Sequence, residues 1–388
     1  MKCFCIALFI ISIAKINTKI IELRYEEIFN AYNIKVGLSS IYKYFEIDLL
    51  GKFSFIASGY YKNSEHAIVK EKGMINFYDY QNVSYDLLSD QIDFGNPKVS
   101  LNDFTFYYFL PGQNIQRFDS ISLSYNQNKS ISFIYNFYSK NIIDELSFSL
   151  VYSRGNDGYL FLGGIPPTYI INTYSGSCNI NDRYDNWGCQ VRAVLLGNKE
   201  FTIKDGYGYL SATQSEISVP KTFLTFLNET YFQQYFDQGD CFVNEVIDKN
   251  DFISFETDCN CSVYETFPQL KFILGNIKIS LNGRSLFKKE VDKCRLIIKE
   301  NMNDENTFIF GISLLRLFHI LFDYDKKSIT FYSKEIIEQA EDFQEQNSKL
   351  LLLSNCVLLS LTISFWLVLK CYKKCKINNI IYYNVSVM

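Results

Sequence analysis

The stretch from Thr307 to Asp323 reads TFIFGISLLRLFHILFD, and it limits the choice of fold more than any other part of the chain. An apolar, aromatic strand pattern runs into Gly311, and a short helical pattern follows over Ser313–Phe318. A second apolar run ends in Phe-Asp, and a polar turn then leads into a strand pattern over Ser328–Tyr332. This part of the chain therefore predicts a β-rich fold whose connections contain short helices.

The same pattern of short strands extends back through most of residues 20–335. Segments rich in Ile, Val, Phe, Tyr and Thr alternate with turns rich in Gly, Asn, Asp and Ser. Further predicted strands include Tyr32–Val36, Phe45–Leu49, Ser130–Tyr135, Gly158–Leu162 and Leu270–Leu274. Helical patterns are few, and the other two are at Ile142–Leu146 and Lys221–Tyr235. We therefore predict an all-β (β-dominated) fold for this region.

The composition of the 388-residue chain excludes several classes of function. Its net charge is −4 and its pI is about 5.5, which argues against a nucleic-acid partner. Only two histidines are present, so a multi-histidine metal site is excluded and a Ser–His or Cys–His catalytic pair is disfavoured. We expect no metal and no cofactor. The 48% hydrophobic content is enough to bury a large core.

Both ends of the chain carry hydrophobic segments. Residues 1–14 combine a basic start with an apolar run that ends at a small residue, which predicts a signal peptide; a buried first strand or short helix is the alternative. Residues 350–369 form an apolar run long enough to span about 30 Å as a helix, which predicts one transmembrane helix rather than a buried core helix. The tail at 370–388 is basic and the preceding stretch is acidic, so the positive-inside rule predicts a cytosolic tail. We therefore expect a single-pass type I membrane protein of the secretory pathway or cell surface, with residues 15–349 lumenal or extracellular.

This topology indicates which cysteines and which glycosylation sequons lie in the lumenal or extracellular part of the chain. An even number of cysteines in an oxidising compartment predicts disulfides, although the sequence leaves their pairing open. None of the six lumenal cysteines precedes residue 178: they are Cys178, Cys189, Cys241, Cys259, Cys261 and Cys294. Asn-x-Ser/Thr sequons predict glycosylation at Asn82, Asn128, Asn228 and Asn260.

Several spaced motifs together resemble the pepsin-like aspartic peptidases (peptidase A1). The stretch 307–323 resembles the C-terminal segment of that family, and GYLFLGGI at 158–165 resembles its strands ahead of the interlobe connection. FDSISL at 118–123 is similar to the family's "fdGilGL" segment, with Ser at two glycine positions. Trp187 fits a family strand, and Phe267-Pro268, between a preceding cysteine and Cys294, fits the site of the C-terminal disulfide.

The resemblance implies two β lobes, which we define as the N-lobe, residues 20–165, and the C-lobe, residues 166–335. In the family each lobe contributes an Asp-Thr-Gly loop to a central cleft. The two aspartates share one proton and activate a water, because two carboxylates a few ångströms apart do not both ionise.

Neither family motif is intact in this sequence. Alignment of the N-lobe motif "f.v.lDTGSs.lW" puts Leu50 at the first aspartate, and counting back from Pro220 puts Ser211 at the second. A leucine and a lone hydroxyl do not share a proton, so we expect loss of acid–base catalysis. The alternative is a displaced acid at Asp48, which lies two residues before Leu50 on the same strand face. The hairpin that resembles the family's flap keeps a tyrosine, Tyr78, as a candidate substrate-binding residue, but its three glycines are replaced.

Three hypotheses follow from the resemblance and these substitutions. The first is a catalytically inactive, membrane-anchored homologue that binds a peptide or protein in the interlobe cleft. The second is an active aspartic endopeptidase with a displaced dyad. The third is a structural surface protein whose cleft is closed by side chains such as Leu50 and Phe53.

Overall fold

The computed structural model describes residues 19–28, 30–38, 41–57, 61, 66–77, 80–94, 99–110, 119–125, 132–153, 157–180, 186–247, 253–301, 306–334 and 338–339. Within these ranges no helix is long and apolar enough to cross a membrane. The predicted signal peptide at 1–14, the predicted span at 350–369 and the tail at 370–388 lie outside the described residues.

Strands dominate the described chain, and we number them in order. The first eleven are β1 (Ile21–Ile28), β2 (Ala31–Leu38), β3 (Ile41–Asp48), β4 (Phe55–Ile56), β5 (Ile68–Phe77), β6 (Tyr80–Phe94), β7 (Val99–Phe109), β8 (Ser120–Ser122), β9 (Ser147–Tyr152), β10 (Asp157–Leu162) and β11 (Tyr174–Asn179). The next twelve are β12 (Gly188–Leu196), β13 (Lys199–Thr202), β14 (Tyr207–Leu210), β15 (Ile217–Val219), β16 (Cys241–Ile247), β17 (Ile253–Cys259), β18 (Leu270–Leu274), β19 (Ile277–Leu281), β20 (Phe287–Lys289), β21 (Cys294–Leu296), β22 (Ile298–Glu300) and β23 (Thr307–Phe310). The last three are β24 (His319–Asp323), β25 (Ser328–Ser333) and β26 (Glu338–Gln339).

The helices are short and lie in the connections between strands. They are at Phe133–Ser139, Pro167–Ile170, Lys221–Leu227, Gln233–Gln238, Cys261–Thr266, Gly283–Leu286 and Ile312–Leu315, with a π-helical turn at Asn228–Phe232. The all-β expectation is confirmed by this arrangement.

Two local predictions differ from the structure. The predicted strand Ser130–Tyr135 is wrong, because a helix begins at Phe133 and Ser132 caps it by accepting a hydrogen bond from the backbone N–H of Tyr135 (3.4 Å). Phe133, Ile134 and Phe137 are buried on one face of this helix, which is a helical rather than an alternating pattern. The predicted helix at Ile142–Leu146 is also wrong, since those residues form bends after the helix ends.

Two large sheets and one smaller sheet organise the strands. A 13-stranded sheet has the order β11-β25-β24-β9-β10-β1-β2-β3-β8-β4-β7-β6-β5, so β11, β24 and β25 of the C-lobe complete a sheet otherwise built by the N-lobe. The lobes meet where β24 pairs with β9. A nine-stranded sheet and the four-stranded sheet β16-β17-β21-β20 belong to the C-lobe.

The core follows from the alternation along the strands. In β1 the side chains of Ile21, Leu23 and Tyr25 are buried and alternate with exposed Glu22 and Arg24. One continuous apolar cluster runs through both lobes, and a second, smaller cluster lies beside it in the N-lobe. The continuous core holds the two candidate loops at the ends of β3 and β14.

Candidate active site

The N-lobe loop begins where β3 ends at Asp48. This side chain is only 5% exposed, and its Oδ1 accepts hydrogen bonds from the backbone N–H groups of Leu50 (2.9 Å) and Gly51 (2.8 Å). Hydrogen bonds from backbone N–H groups to a carboxylate are strong and directional. The loop after β3 therefore wraps around the Asp48 carboxylate and fixes its orientation.

The C-lobe loop begins where β14 ends, and its first residue is Ser211. The Ser211 side chain is 1% exposed, and its Oγ lies 3.2 Å from Thr213 Oγ1 and accepts a hydrogen bond from the Thr213 N–H (3.3 Å). The backbone N–H of Ser211 donates to Phe310 O (3.0 Å). Ser211 thus provides a neutral hydroxyl in a loop of the same form as the Asp48 loop. In each loop the first side chain accepts a hydrogen bond from the backbone N–H two residues ahead.

Strand pairing shows which residues of the two lobes are equivalent. In the C-lobe β14 runs parallel to β23, Leu210 pairs with Phe310, and Ser211 therefore lies beside Gly311. In the N-lobe β3 runs parallel to β8, and Asp48 pairs with Ser122. Residues 119–123 and 308–312 are the matching segments of the two lobes, with Ser122 and Gly311 at equivalent positions.

A second pairing gives the same equivalence independently. β4 crosses β8 antiparallel with Phe55 opposite Ser120, and β15 crosses β23 antiparallel with Ser218 opposite Ile309. Phe55 follows Asp48 by seven residues, and Ser218 follows Ser211 by the same interval. Asp48 and Ser211 are therefore the equivalent residues of the two loops.

The alignment that placed Leu50 opposite Ser211 needs correction. That alignment differs from the strand register by two residues. Leu50 instead donates a hydrogen bond from its backbone N–H to the Asp48 carboxylate. Leu49 and Ala212 follow the two equivalent residues, and both side chains are fully buried in the continuous core. Neither side chain has a hydroxyl, so hydrophobic packing holds these positions in place.

The sequence reasoning missed the residues that support the Asp48 loop. The hydroxyl of Ser122, which is fully buried, donates to the carbonyl of Gly51, and the Ser122 N–H donates to Ser54 Oγ (3.0 Å). Asp119 accepts a hydrogen bond from the Ala57 N–H (2.8 Å) and so ties the end of β4 to the start of β8. Serine at a glycine position of the 118–123 segment is the signal that marks Ser122 in the sequence.

Beneath the loop, Leu123 connects Asp48 to a cluster of buried aromatic rings. The Leu123 N–H donates to Asp48 O (2.8 Å), while Leu123 O accepts from Trp187 Nε1 (2.6 Å) and the Tyr324 hydroxyl (3.0 Å). Trp187 is fully buried and packs edge-on against Phe148, Phe322 and Tyr324. Because Trp187 and Tyr324 come from the C-lobe, that lobe helps to hold the N-lobe loop in place.

The β5–β6 hairpin corresponds to the predicted flap. Phe77 pairs with Tyr80, and Tyr78 lies outside the described residues. Tyr85 stands at one of the replaced glycine positions, and its ring packs on Tyr107 with a centroid distance of 4.8 Å. Its hydroxyl donates to Glu71 (3.0 Å), so the larger side chain connects the two strands of the hairpin.

A small apolar cluster, the flap cluster, joins this hairpin to the segment after Asp48. It contains buried Phe55, Val83, Tyr85 and Phe109. Phe53 packs against its edge, with a ring-centroid distance of 4.3 Å to Tyr107. Side chains thus fill the space between the described part of the hairpin and β4, whereas Leu50 is only partly buried.

The cysteines and the sequons are distributed unequally between the lobes. The six cysteines form three pairs in the C-lobe: Cys178–Cys189, Cys241–Cys259 and Cys261–Cys294. Asn228 begins the π-helical turn, and exposed Asn260 donates to Asp240 Oδ1 (2.6 Å). Asn128 lies outside the described residues, and for Asn82 the structure describes only the backbone.

Titratable groups near the two loops do not form a metal centre. Within the described ranges, no group of three or more His, Cys, Asp or Glu side chains is arranged to hold a metal ion. The N-lobe loop contains the Asp48 carboxylate, and the C-lobe loop contains the hydroxyls of Ser211 and Thr213.

Comparison with known proteins agrees with this architecture. The sequence matches the model of the eukaryotic aspartyl protease family over residues 59–334. The chain belongs to this family. A search of the curated proteins gave no match.

Among solved structures, the chain is similar to the aspartic proteinase from Irpex lacteus. The TM-score is 0.65 at 11% sequence identity, and the match covers 81% of this chain and 97% of that one. An identity this low shows a shared fold, so the pepsin-like, bilobal fold is established.

Proposed function

We propose that this chain is a membrane-anchored member of the aspartyl protease family in which the catalytic dyad is reduced to Asp48. Ser211 occupies the second position, and the domain binds a peptide or protein in the interlobe cleft without cleaving it by the family mechanism. The observation that carries this proposal is the strand register, which makes Ser211 the equivalent of Asp48.

The chemical argument concerns the proton that the family dyad shares. Two neighbouring carboxylates hold one proton between them, so one acts as a base toward water while the other acts as an acid toward the substrate. A serine hydroxyl has no comparable acidity and does not supply the second group. Each missing acid or base contribution typically lowers a rate by about 10²–10⁴-fold.

The retained construction supports a binding role. Asp48 still receives two backbone N–H bonds, and Leu123 still connects it to the buried Trp187. These hydrogen bonds fix the orientation of the Asp48 carboxylate, and we infer that it accepts a hydrogen bond from a bound peptide.

The test is a cleavage assay on the purified full-length chain between pH 3 and pH 6, with peptide mixtures analysed by mass spectrometry. We expect no cleavage that pepstatin inhibits. In the same preparations, fluorescently labelled pepstatin or peptides should bind, and Asp48→Asn should weaken this binding. Absence of any peptide binding would reject the binding role while leaving the fold assignment intact.

A second candidate function is residual hydrolysis through Asp48 alone, and the buried, oriented carboxylate is the observation that favours it. Under this candidate Asp48→Asn should abolish cleavage, whereas Ser211→Ala should change it little. Equal cleavage by the wild type and by Asp48→Asn would dismiss it and would point to a contaminating protease.

The membrane anchor is a separate part of the proposal and rests on the apolar run at 350–369, followed by a basic tail. We expect the full chain to stay with membranes after alkaline extraction, and a chain that ends at residue 349 to be released. Retention of the shortened chain would contradict the anchor.

A further inference from the structure

A cavity of about 260 Å³ lies where the two large sheets meet, on a different set of residues from the Asp48 and Ser211 loops. β19 of the nine-stranded sheet forms one wall, and β24 and β25 of the 13-stranded sheet form another. The turn after the helix Ile312–Leu315 closes a third side. We call this cavity the basic pocket.

The charged side chains that line the basic pocket are cations. They are Lys278, Arg316 and Lys334, together with His319, and Lys278 lies opposite Glu338 in the pairing of β19 with β26. Arg316 makes a hydrogen bond to Ser313 Oγ (3.3 Å), and neither Arg316 nor Lys334 forms an ion pair with a described carboxylate. Clustered cations of this kind repel one another and attract an anion.

His319 adds a polar atom that lacks a described partner. Its Nδ1 is buried, and no hydrogen-bond partner for it is present in the described part of the chain. A buried polar atom without a partner is costly, and such atoms are commonly satisfied by a ligand or an ordered water. The groups that face the ring are Tyr332 on β25, Tyr169 on the helix Pro167–Ile170, and the lysine Lys334.

The pKa of His319 depends on the charges around the pocket. Burial lowers the pKa of His319, and the positive charge of Lys334 lowers it further. An anion placed among these groups would favour the charged imidazolium and so raise the pKa. The pKa of His319 should therefore change with the charge of the ligand in the pocket.

The size of the pocket restricts the occupant. Sites for drug-sized ligands usually measure about 300–1,000 Å³, so a cavity of 260 Å³ takes a small group. Ser280 and Asn282 also line it and provide neutral hydrogen-bond donors beside the cations. We propose that the basic pocket binds a small tetrahedral oxyanion of the phosphate class, held by Arg316 and Lys334, with His319 in the wall of the pocket.

The test uses NMR of the purified full-length chain with ¹³C-labelled histidine. The chain has only two histidines, so His66, which is exposed on the N-lobe, is an internal control. Inorganic phosphate is titrated at constant ionic strength of about 0.1 M, where distant surface charges are screened. We expect phosphate to shift the His319 resonance in a saturable way and to raise its pKa, without effect on His66.

Two lysine variants make the test specific. Lys334→Gln should raise the pKa of His319 without phosphate and weaken phosphate binding about fivefold, because one cation is lost. Lys199→Gln removes the same charge from an exposed hairpin and should change neither quantity. A parallel titration with phosphoserine tests whether the anion is free phosphate or a phosphorylated group. Binding of both ligands indicates a pocket that is open to larger groups, whereas binding of phosphate alone indicates a site for the free ion.

The proposal is overturned if phosphate leaves His319 unchanged, or if it shifts His319 and His66 equally. Equal phosphate responses in Lys334→Gln and Lys199→Gln would also overturn it, because they would indicate general screening.

Discussion

The two candidate loops share their backbone construction but differ in their chemistry. Each begins at the end of a strand that pairs in parallel with one neighbour, and the first side chain of each loop accepts a hydrogen bond from the backbone N–H two residues ahead. Asp48 supplies a carboxylate, while Ser211 supplies a hydroxyl that bonds to Thr213. The comparison teaches that two loops can share a backbone construction and still differ in chemistry, because their register depends on strand pairing and core packing rather than on the first side chain of each loop.

The lobes also differ in how they are stabilised. All three described disulfides are in the C-lobe, together with the ionic cluster around Asp258. The N-lobe sequence from 20 to 165 has no cysteine, so hydrophobic packing and hydrogen bonds carry its stability. The N-lobe loop in addition depends on the C-lobe through Trp187.

The largest effect should come from restoring the missing carboxylate. Ser211→Asp places a second acid at the position equivalent to Asp48, and the two groups should then share a proton. We expect pepstatin-sensitive cleavage to rise about 10²-fold or more above the wild type near pH 4. The double variant Asp48→Asn/Ser211→Asp is the control and should be inactive; activity in it would show that Asp48 is not the partner.

Loss of the buried tryptophan should cause the next largest effect. Trp187→Ala removes a fully buried ring and should lower the free energy of unfolding by about 3–5 kcal/mol. Trp187→Phe keeps most of the packing but removes the donor to Leu123, and should cost about 1–2 kcal/mol. Urea denaturation measures both, and half-exposed Tyr174→Ala is the control. A Trp187→Ala loss no greater than that control would contradict the supporting role of the ring.

The disulfides should rank by the length of the chain that they close. Cys261–Cys294 spans 33 residues and should contribute about 3.7 kcal/mol, whereas Cys178–Cys189 spans 11 and should contribute about 2.8 kcal/mol. Paired Cys→Ala variants of each bridge, compared by thermal and urea unfolding, measure the difference. The opposite ranking would show that local packing outweighs loop closure in this lobe.

A smaller, pH-dependent effect should come from Asp258. Burial alone would raise its pKa, but hydrogen bonds from Arg295 and Lys293 outweigh burial and hold the pKa below its ordinary value. A lowered folded-state pKa gives stability that is full above the unfolded pKa of about 3.9 and is lost as the pH falls through the folded value.

Asp258→Asn should therefore cost about 2 kcal/mol at pH 7 and progressively less as the pH falls below about 3.9. Urea unfolding at a series of pH values measures this, with exposed Asp325→Asn as the control. A difference between the wild type and Asp258→Asn that stays constant from pH 7 to pH 2 would contradict the ion-pair explanation.

Sequence reasoning predicted the fold class well, because alternation along strands such as β1 and β18 is a local property of the chain. The assignment of Ser211 to the family's second aspartate position stays a prediction, which rests on counting back from Pro220. Sequence reasoning misplaced the N-lobe residue equivalent to Ser211 by two positions for a physical reason. Residues i and i+2 of a strand face the same side, so a shift from Asp48 to Leu50 leaves the inside–outside pattern unchanged.

Other features depend on contacts that the sequence does not encode locally. The pairing of Asp48 with Ser122 brings together segments separated by more than seventy residues, and the pairing of the six cysteines depends on which strands are neighbours. The basic pocket likewise combines side chains from separate strands and turns. The signal peptide, the membrane span and the role of Tyr78 stay predictions, because those residues lie outside the described ranges.

The most direct test of the central claim is the rate of pepstatin-sensitive peptide cleavage by the wild-type chain and by Asp48→Asn, measured side by side at pH 3 to 6. The account predicts no such cleavage by either protein, because Ser211 does not supply the second acid. Cleavage by the wild type that disappears in Asp48→Asn would contradict it.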